Sequence, residues 1–127
     1  MTKENIASYP EVSTESLIEL IIEGIRDIKG KNIIKIDLTK LDDGPTDVFI
    51  ICEGESTTQV NAIAQNIQKR LKENQIRVLH AEGQRDGRWV LLDYFEVVVH
   101  VFHPETREYY DIEDLWSDGD FTEYQEL

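Results

Sequence analysis

The chain has 127 residues, 40% hydrophobic and 31% charged, with a formal net charge of −13; that is the size of one domain able to bury roughly two-thirds of its unfolded surface in a single core. No run approaches the ~20 apolar residues of a membrane span, and a single cysteine, Cys52, allows no intrachain disulfide. The negative surface works against phosphate backbones, whose binding depends on Lys and Arg displacing counterions, so direct nucleic-acid binding is disfavoured. Residues 105–127 carry nine acidic side chains against Arg107 alone. Such a charge either steers a basic protein partner or simply keeps the chain soluble.

Residues 1–12 lack periodicity, carry Pro10 and read as a flexible tail, with neither a signal-peptide apolar core nor an Arg-rich amphipathic pattern. A soluble protein of a reducing, cytoplasmic compartment is expected. Ser13 is placed as an N-cap, and Leu17, Ile18, Ile21, Ile22, Ile25 and Ile28 follow helical spacing up to Gly30, read as the C-cap. Asn32–Leu38 alternates, Ile34, Ile36 and Leu38 inward and Lys35 and Asp37 outward, as a strand with one wet face near a sheet edge. After a loop over Thr39–Thr46, Asp47–Glu53 is apolar on both faces and reads as a central strand, with Cys52 a buried small hydrophobe. Ser56-Thr57-Thr58-Gln59 is a capping box for a second helix that buries Val60, Ile63, Ala64, Ile67 and Leu71. Ile76–Ala81 is the next strand, and a strand–helix–strand unit of this length predicts parallel pairing with Asp47–Glu53 through a right-handed crossover.

The turn Glu82–Gly87 leads into two adjacent strands, Arg88–Tyr94 and Glu96–His103, then a helical turn started by Pro104. In the first strand Trp89, Leu91 and Asp93 share a side opposite Val90 and Leu92; in the second, Val97, Val99 and Val101 oppose Val98, His100 and Phe102. Both sides are largely apolar, so both faces of the sheet need cover, for which a partner protein is one candidate. Ile112, Leu115 and Trp116 lie at i, i+3, i+4, so one helical turn pins Trp116 onto the domain, and the chain beyond reads as an acidic tail. The expected organisation is a tail over 1–12, one α/β domain over 13–117 built on a mixed five-stranded sheet flanked by helices, and a poorly ordered acidic tail over 118–127. Two full helices and one short one are thin cover for five strands.

No catalytic constellation stands out. His100 and His103 fall on opposite faces of a strand, which spoils chelation, and His80 has no Cys or His beside it in sequence. His100 interrupts a run of valines and needs a buried partner. Gly54-Glu55-Ser56 at a strand-to-helix junction resembles an anion-binding turn, but it lacks the lysine of a P-loop and Glu55 repels phosphate. A nucleotide-binding or nucleotidyltransferase-like enzyme using Gly54–Ser56 is therefore the alternative reading, although no strand carries the paired metal carboxylates it needs. No cofactor and no metal are expected. What the segment after Gly87 offers is a recognition surface: Trp89 and Leu91 as anchors, with Asp93 beside them, suit a basic partner, while a core position under a helix is the competing reading for Trp89.

Several stretches carry a family resemblance. Asp47-Val48-Phe49-Ile50-Ile51-Cys52-Glu53-Gly54, the helix through Val60, Ala62 and Ile67, Glu82-Gly83, Trp89-Val90-Leu91-Leu92-Asp93, Val98-Val99-His100-Val101-Phe102, Pro104 to Tyr110 and Leu115-Trp116 resemble the ribosomal silencing factor family, also called Iojap or RsfS. The likeness runs over roughly residues 14–117. One departure is Tyr94-Phe95-Glu96, where the family usually has a glycine before an acidic residue. The resemblance implies a non-enzymatic fold similar to nucleotidyltransferases without their catalytic carboxylates. It further implies binding to the large ribosomal subunit through its fourteenth protein, blocking small-subunit joining and lowering translation when nutrients are scarce. Trp89 matches the family's aromatic contact on that partner; Leu91 and Asp93 join it on geometry alone. A homodimer competing for the same surface is compatible with the doubly apolar sheet.

Overall fold

In the computed structural model, which describes residues 12–126, the chain forms a six-stranded mixed sheet with helices on both faces. Helix α1 (Thr14–Asp27) starts at Ser13, whose Oγ accepts from the Ser16 N–H at 3.1 Å. Its six buried residues, Leu17, Ile18, Ile21, Ile22, Gly24 and Ile25, form the apolar stripe expected from the spacing. At its C-terminus the left-handed residue is Lys29 (φ +62) rather than Gly30, and the Gly30 N–H closes the end on the Ile25 carbonyl at 2.9 Å. Gly30 is needed for space: a Cβ there would sit 2.4 Å from Ile25 Cγ2. Helix α2 (Thr57–Glu73) closes the same way, with Gln75 at φ +61 and the Ile76 N–H on the Leu71 carbonyl at 2.8 Å.

The strands are β1 (Lys31–Asp37), β2 (Val48–Glu53), β3 (His80–Glu82), β4 (Trp89–Asp93), β5 (Val97–Phe102) and β6 (Asp120–Tyr124), in the spatial order β3-β4-β5-β2-β1-β6. Two expectations are corrected. The parallel neighbour of β2 is β5, not the strand after α2; that strand is only His80–Glu82 and lies at the sheet edge, antiparallel to β4. The α2 crossover therefore skips two positions, which β4 and β5 fill as a hairpin. The sheet also has six strands rather than five. The sixth comes from the segment expected to be an acidic tail: Asp120–Tyr124 pairs antiparallel with Ile33–Asp37 and makes β1 an inner strand. The physical reason is an open β1 edge next to β-forming Phe121, Thr122 and Tyr124. The tail expected over 1–12 falls, except for Val12, outside the described residues; Val12 packs against the core.

Alternation along the strands divides the interior into two. On one face α1 and α2 cover Ile33, Val48, Ile50, Cys52, Val90, Leu92, Val97, Val99 and Val101. On the other lie Ile34, Ile36, Leu38, Phe49, Ile51 and Phe102, edged by partly buried Leu41, Trp89, Val98, Ile112 and Trp116. Among the described residues, the helices on that second face are the short α3 (Pro104–Tyr110) and α4 (Ile112–Leu115), neither of which contains a fully buried residue. Both faces are apolar, as the pattern predicted, and their cover is unequal.

Candidate partner-binding site

The β4–β5 hairpin brings Trp89, Leu91 and Asp93 into one row on the thinly covered face, each half-buried, while Val90 and Leu92 point under α1 and α2 and are fully buried. Across the ladder the row meets Phe102, His100 and Val98 respectively. The start of the row is fixed by Gly83 (φ +87), where a Cβ would lie 1.9 Å from the Trp89 carbonyl oxygen; only glycine lets the preceding turn come this close.

Trp89 is neither a bare surface residue nor a core residue beneath a helix. Its ring lies 4.9 Å from the Phe102 ring at 30° and 4.9 Å from the Tyr110 ring of α3 at 46°. Trp89 also lines a cleft of about 680 Å³ together with Arg88, Glu105, Tyr109 and Tyr110. Its Nε1–H donates to His100 Nδ1 at 3.1 Å, which supplies the buried partner that His100 was expected to need. His100 is 4% exposed and stands edge-on to Phe49 at 4.6 Å. Burial pushes its pKa down to about 4, so the imidazole is neutral near pH 7. Asp93 has a local duty as well: its Oδ1 accepts the Phe95 N–H at 2.8 Å and shapes the turn into β5. Leu91 lies between the two.

The structure shows exposed side chains on α3 and α4 that the sequence reading did not join to the docking surface. Tyr109, Tyr110 and Leu115 on α3 and α4 are well exposed, and Leu115 is 72% exposed although its spacing placed it beside Ile112 and Trp116, which do pack inward. The signal available was composition alone, aromatic and aliphatic side chains among carboxylates. The two short helices are tied down by Arg107, whose guanidinium reaches Glu113 at 3.0 and 3.1 Å, Glu53 at 3.0 Å and the Asn32 carbonyl at 2.8 Å. Burial works against the Arg107 charge, and Glu113 and Glu53 outweigh it, so its pKa moves up.

The other candidates are accounted for structurally. In the Gly54–Ser56 turn the Glu55 N–H goes to Gln59 Oε1 at 2.7 Å and the Gln59 N–H to Ser56 Oγ at 3.1 Å, so two amides that an anion would use are occupied. A Cβ on Gly54 would lie 2.9 Å from the Val60 amide nitrogen, so the turn is folded tightly against α2. His103 caps α3 by accepting the Glu105 N–H at 3.3 Å. Cys52 is fully buried, which pushes its thiol up to about 12 and keeps it protonated. Among the described residues no group of three His, Cys, Asp or Glu side chains could hold a metal ion, and no helix is long and apolar enough to cross a membrane.

A sequence profile described as "Ribosomal silencing factor during starvation" (RsfS) matches residues 11–127. The chain belongs to the RsfS family. It is 45% identical over 106 residues to the ribosomal silencing factor RsfS of Chromobacterium violaceum, across 81% of this chain and 84% of that one. A crystal structure of a protein from the same organism superposes with a TM-score of 0.80 at 42% identity, covering 84% of this chain and 88% of the other. A mouse protein named for mitochondrial assembly of the ribosomal large subunit is 35% identical over 75 residues, 57% of this chain and 33% of its own length. The α/β architecture and family expected from the motifs therefore hold, with the sixth strand added.

Proposed function

We propose that this chain binds the large ribosomal subunit through its fourteenth ribosomal protein, prevents the small subunit from joining, and so represses translation when nutrients are limiting. The carrying observation is the half-buried Trp89 on the sheet face where, among the described residues, the helical cover is the short α3 and α4. Family membership says what kind of partner to look for. A net charge of −13 suits a basic protein and disfavours RNA as the direct contact. Steric blocking needs affinity and bulk rather than catalysis, so on this reading the fold serves as a scaffold in the cytoplasm, nucleotidyltransferase-like in outline and without a reaction. Trp89 is the anchor, Leu91 extends its apolar surface, and Asp93 supplies charge at the rim.

The test is co-sedimentation with purified large subunits. Trp89→Ala is expected to lose at least ~2 kcal/mol of binding, about thirty-fold in affinity. Because the indole also packs on Phe102 and Tyr110 and bonds to His100, the midpoint is expected to fall, and binding is compared well below both midpoints, where both proteins are folded. Undiminished binding would return Trp89 to a packing role. Cosedimentation with small subunits instead would overturn the choice of partner.

A further inference from the structure

His100 has two ring nitrogens and the structure uses one. An indole N–H can only donate, so the Nδ1 that faces Trp89 at 3.1 Å has to be the unprotonated, accepting nitrogen. In the neutral ring the proton is then on Nε2. That N–H is buried and finds no hydrogen-bond partner among the described residues. The ring's other neighbours are apolar or aromatic: Phe49 edge-on at 4.6 Å, Phe102 at 6.1 Å, and Leu91 and Ile51 on either side in the ladder.

A leucine or phenylalanine would remove the unpaired Nε2–H but would leave the part-buried indole N–H without its acceptor, so the count of orphaned donors gives histidine no advantage in stability at this place. What histidine provides, and an apolar side chain cannot, is an acceptor for the indole. Phe102 and Tyr110 contact the Trp89 ring with little directional preference, whereas the Nε1–H bond to His100 selects one of the orientations that stacking allows. Fixing a half-exposed aromatic before contact lowers the ordering cost of binding.

We propose that His100 is a positioning residue for the docking surface: its Nδ1 holds the indole of Trp89 in the orientation that the basic partner meets. The inference rests on the docking role given to Trp89, and its test separates the two. His100→Leu removes the acceptor at similar bulk, and His100→Asn puts an amide oxygen close to where Nδ1 was. Three quantities are read on the full chain: affinity for purified large subunits, thermal midpoint near pH 7, and the chemical shift and hydrogen exchange of the Trp89 Nε1–H by NMR. His100→Leu is expected to leave the midpoint close to the parent's, to bind roughly tenfold more weakly, and to show a shifted, faster-exchanging indole N–H. His100→Asn is expected to recover most of the affinity and of the slow exchange.

If His100→Leu binds like the parent while Trp89→Ala does not, the positioning role is overturned and the docking role survives. If Trp89→Ala also binds like the parent, the docking role itself has failed. An affinity loss that follows a fallen midpoint in both variants marks His100 as structural and overturns the proposal. Should His100→Leu fail to fold, the His100→Asn indole resonance decides, because a freely exchanging N–H in a folded, fully binding protein contradicts the proposal.

Discussion

Arg107 Nη1 on α3 lies 3.0 Å from Glu53 Oε1 at the end of β2, and both side chains are largely buried, at 11% and 17% exposed. This pair does for the second sheet face what α1 and α2 do for the first by burying aliphatic surface. Since α3 and α4 bury no residue fully, their position depends on this charge cluster and on Ile112 and Trp116. Replacing Arg107 with Met keeps the aliphatic stem and strands the Glu53 and Glu113 carboxylates. The expected cost is about 3 kcal/mol, read as a lower urea midpoint with an unchanged slope. A loss under 1 kcal/mol would mean that the apolar contacts of α4 suffice.

Phe95 occupies a left-handed position at φ +76 between β4 and β5, and its ring is 72% exposed. A non-glycine residue there costs about 1–2 kcal/mol, while glycine loses part of that gain through its greater freedom when unfolded. Phe95→Gly is therefore expected to stabilise the chain by about 1 kcal/mol, a rise of about 4 °C in midpoint at this size. The turn survives because its bonds are made by the backbone and by Asp93, with the Tyr94 N–H on the Val97 carbonyl at 2.8 Å. A lower midpoint would show that what the Phe95 side chain contributes outweighs its backbone strain.

The neutral imidazole of His100 makes stability depend on pH in a window set by its own shift. Unfolded, the group takes its proton near 6.5; folded, burial delays protonation to about 4. The stability this contributes is complete above about 6.5 and is lost steadily as pH falls toward 4, in total on the order of 3 kcal/mol. The expected result is a steeper fall in urea stability between pH 6.5 and 4 for the parent than for His100→Leu. Carboxylates such as Asp27, held low by its hydrogen bonds from Arg70 and Asn66, titrate in both proteins and cancel in the comparison. Parallel curves would show that the folded protein takes up the proton without resistance.

Local chemistry made most elements legible in the sequence. The Ser13 and Ser56 caps, the stripe from Leu17 to Ile25 and the two-sided β2 are all present where spacing placed them. Pairing was less legible, because a crossover helix says that two strands run parallel but not how many strands lie between them. The β4–β5 hairpin claimed the position beside β2 with its longer β5, apolar except for His100, and left the polar His80–Glu82 at the edge. Of the candidate site, the shared side of Trp89, Leu91 and Asp93 follows from strand period. Contact between Trp89 and Tyr110 depends on where α3 returns, and no periodicity encodes that.

The sixth strand tests whether an acidic stretch can be structural. Asp120–Tyr124 forms the outer edge of the sheet, Tyr124 packs partly against the core, and the Gln125 carbonyl accepts from Arg26 Nη2 at 2.8 Å, which ties the edge to α1. Ending the chain at Asp118 removes this pairing and leaves the β1 backbone donors and acceptors open beside Ile33 and Ile34. The half-buried ring and the lost ladder predict a destabilisation on the order of 2 kcal/mol. An exposed β1 edge carrying Ile33, Ile34 and Ile36 also predicts stronger concentration-dependent association than the 127-residue chain shows under the same conditions. Thermal unfolding and light scattering of the truncated and the 127-residue proteins measure both effects. An unchanged midpoint together with monodisperse scattering would reduce Asp120–Tyr124 to a solubilising tail.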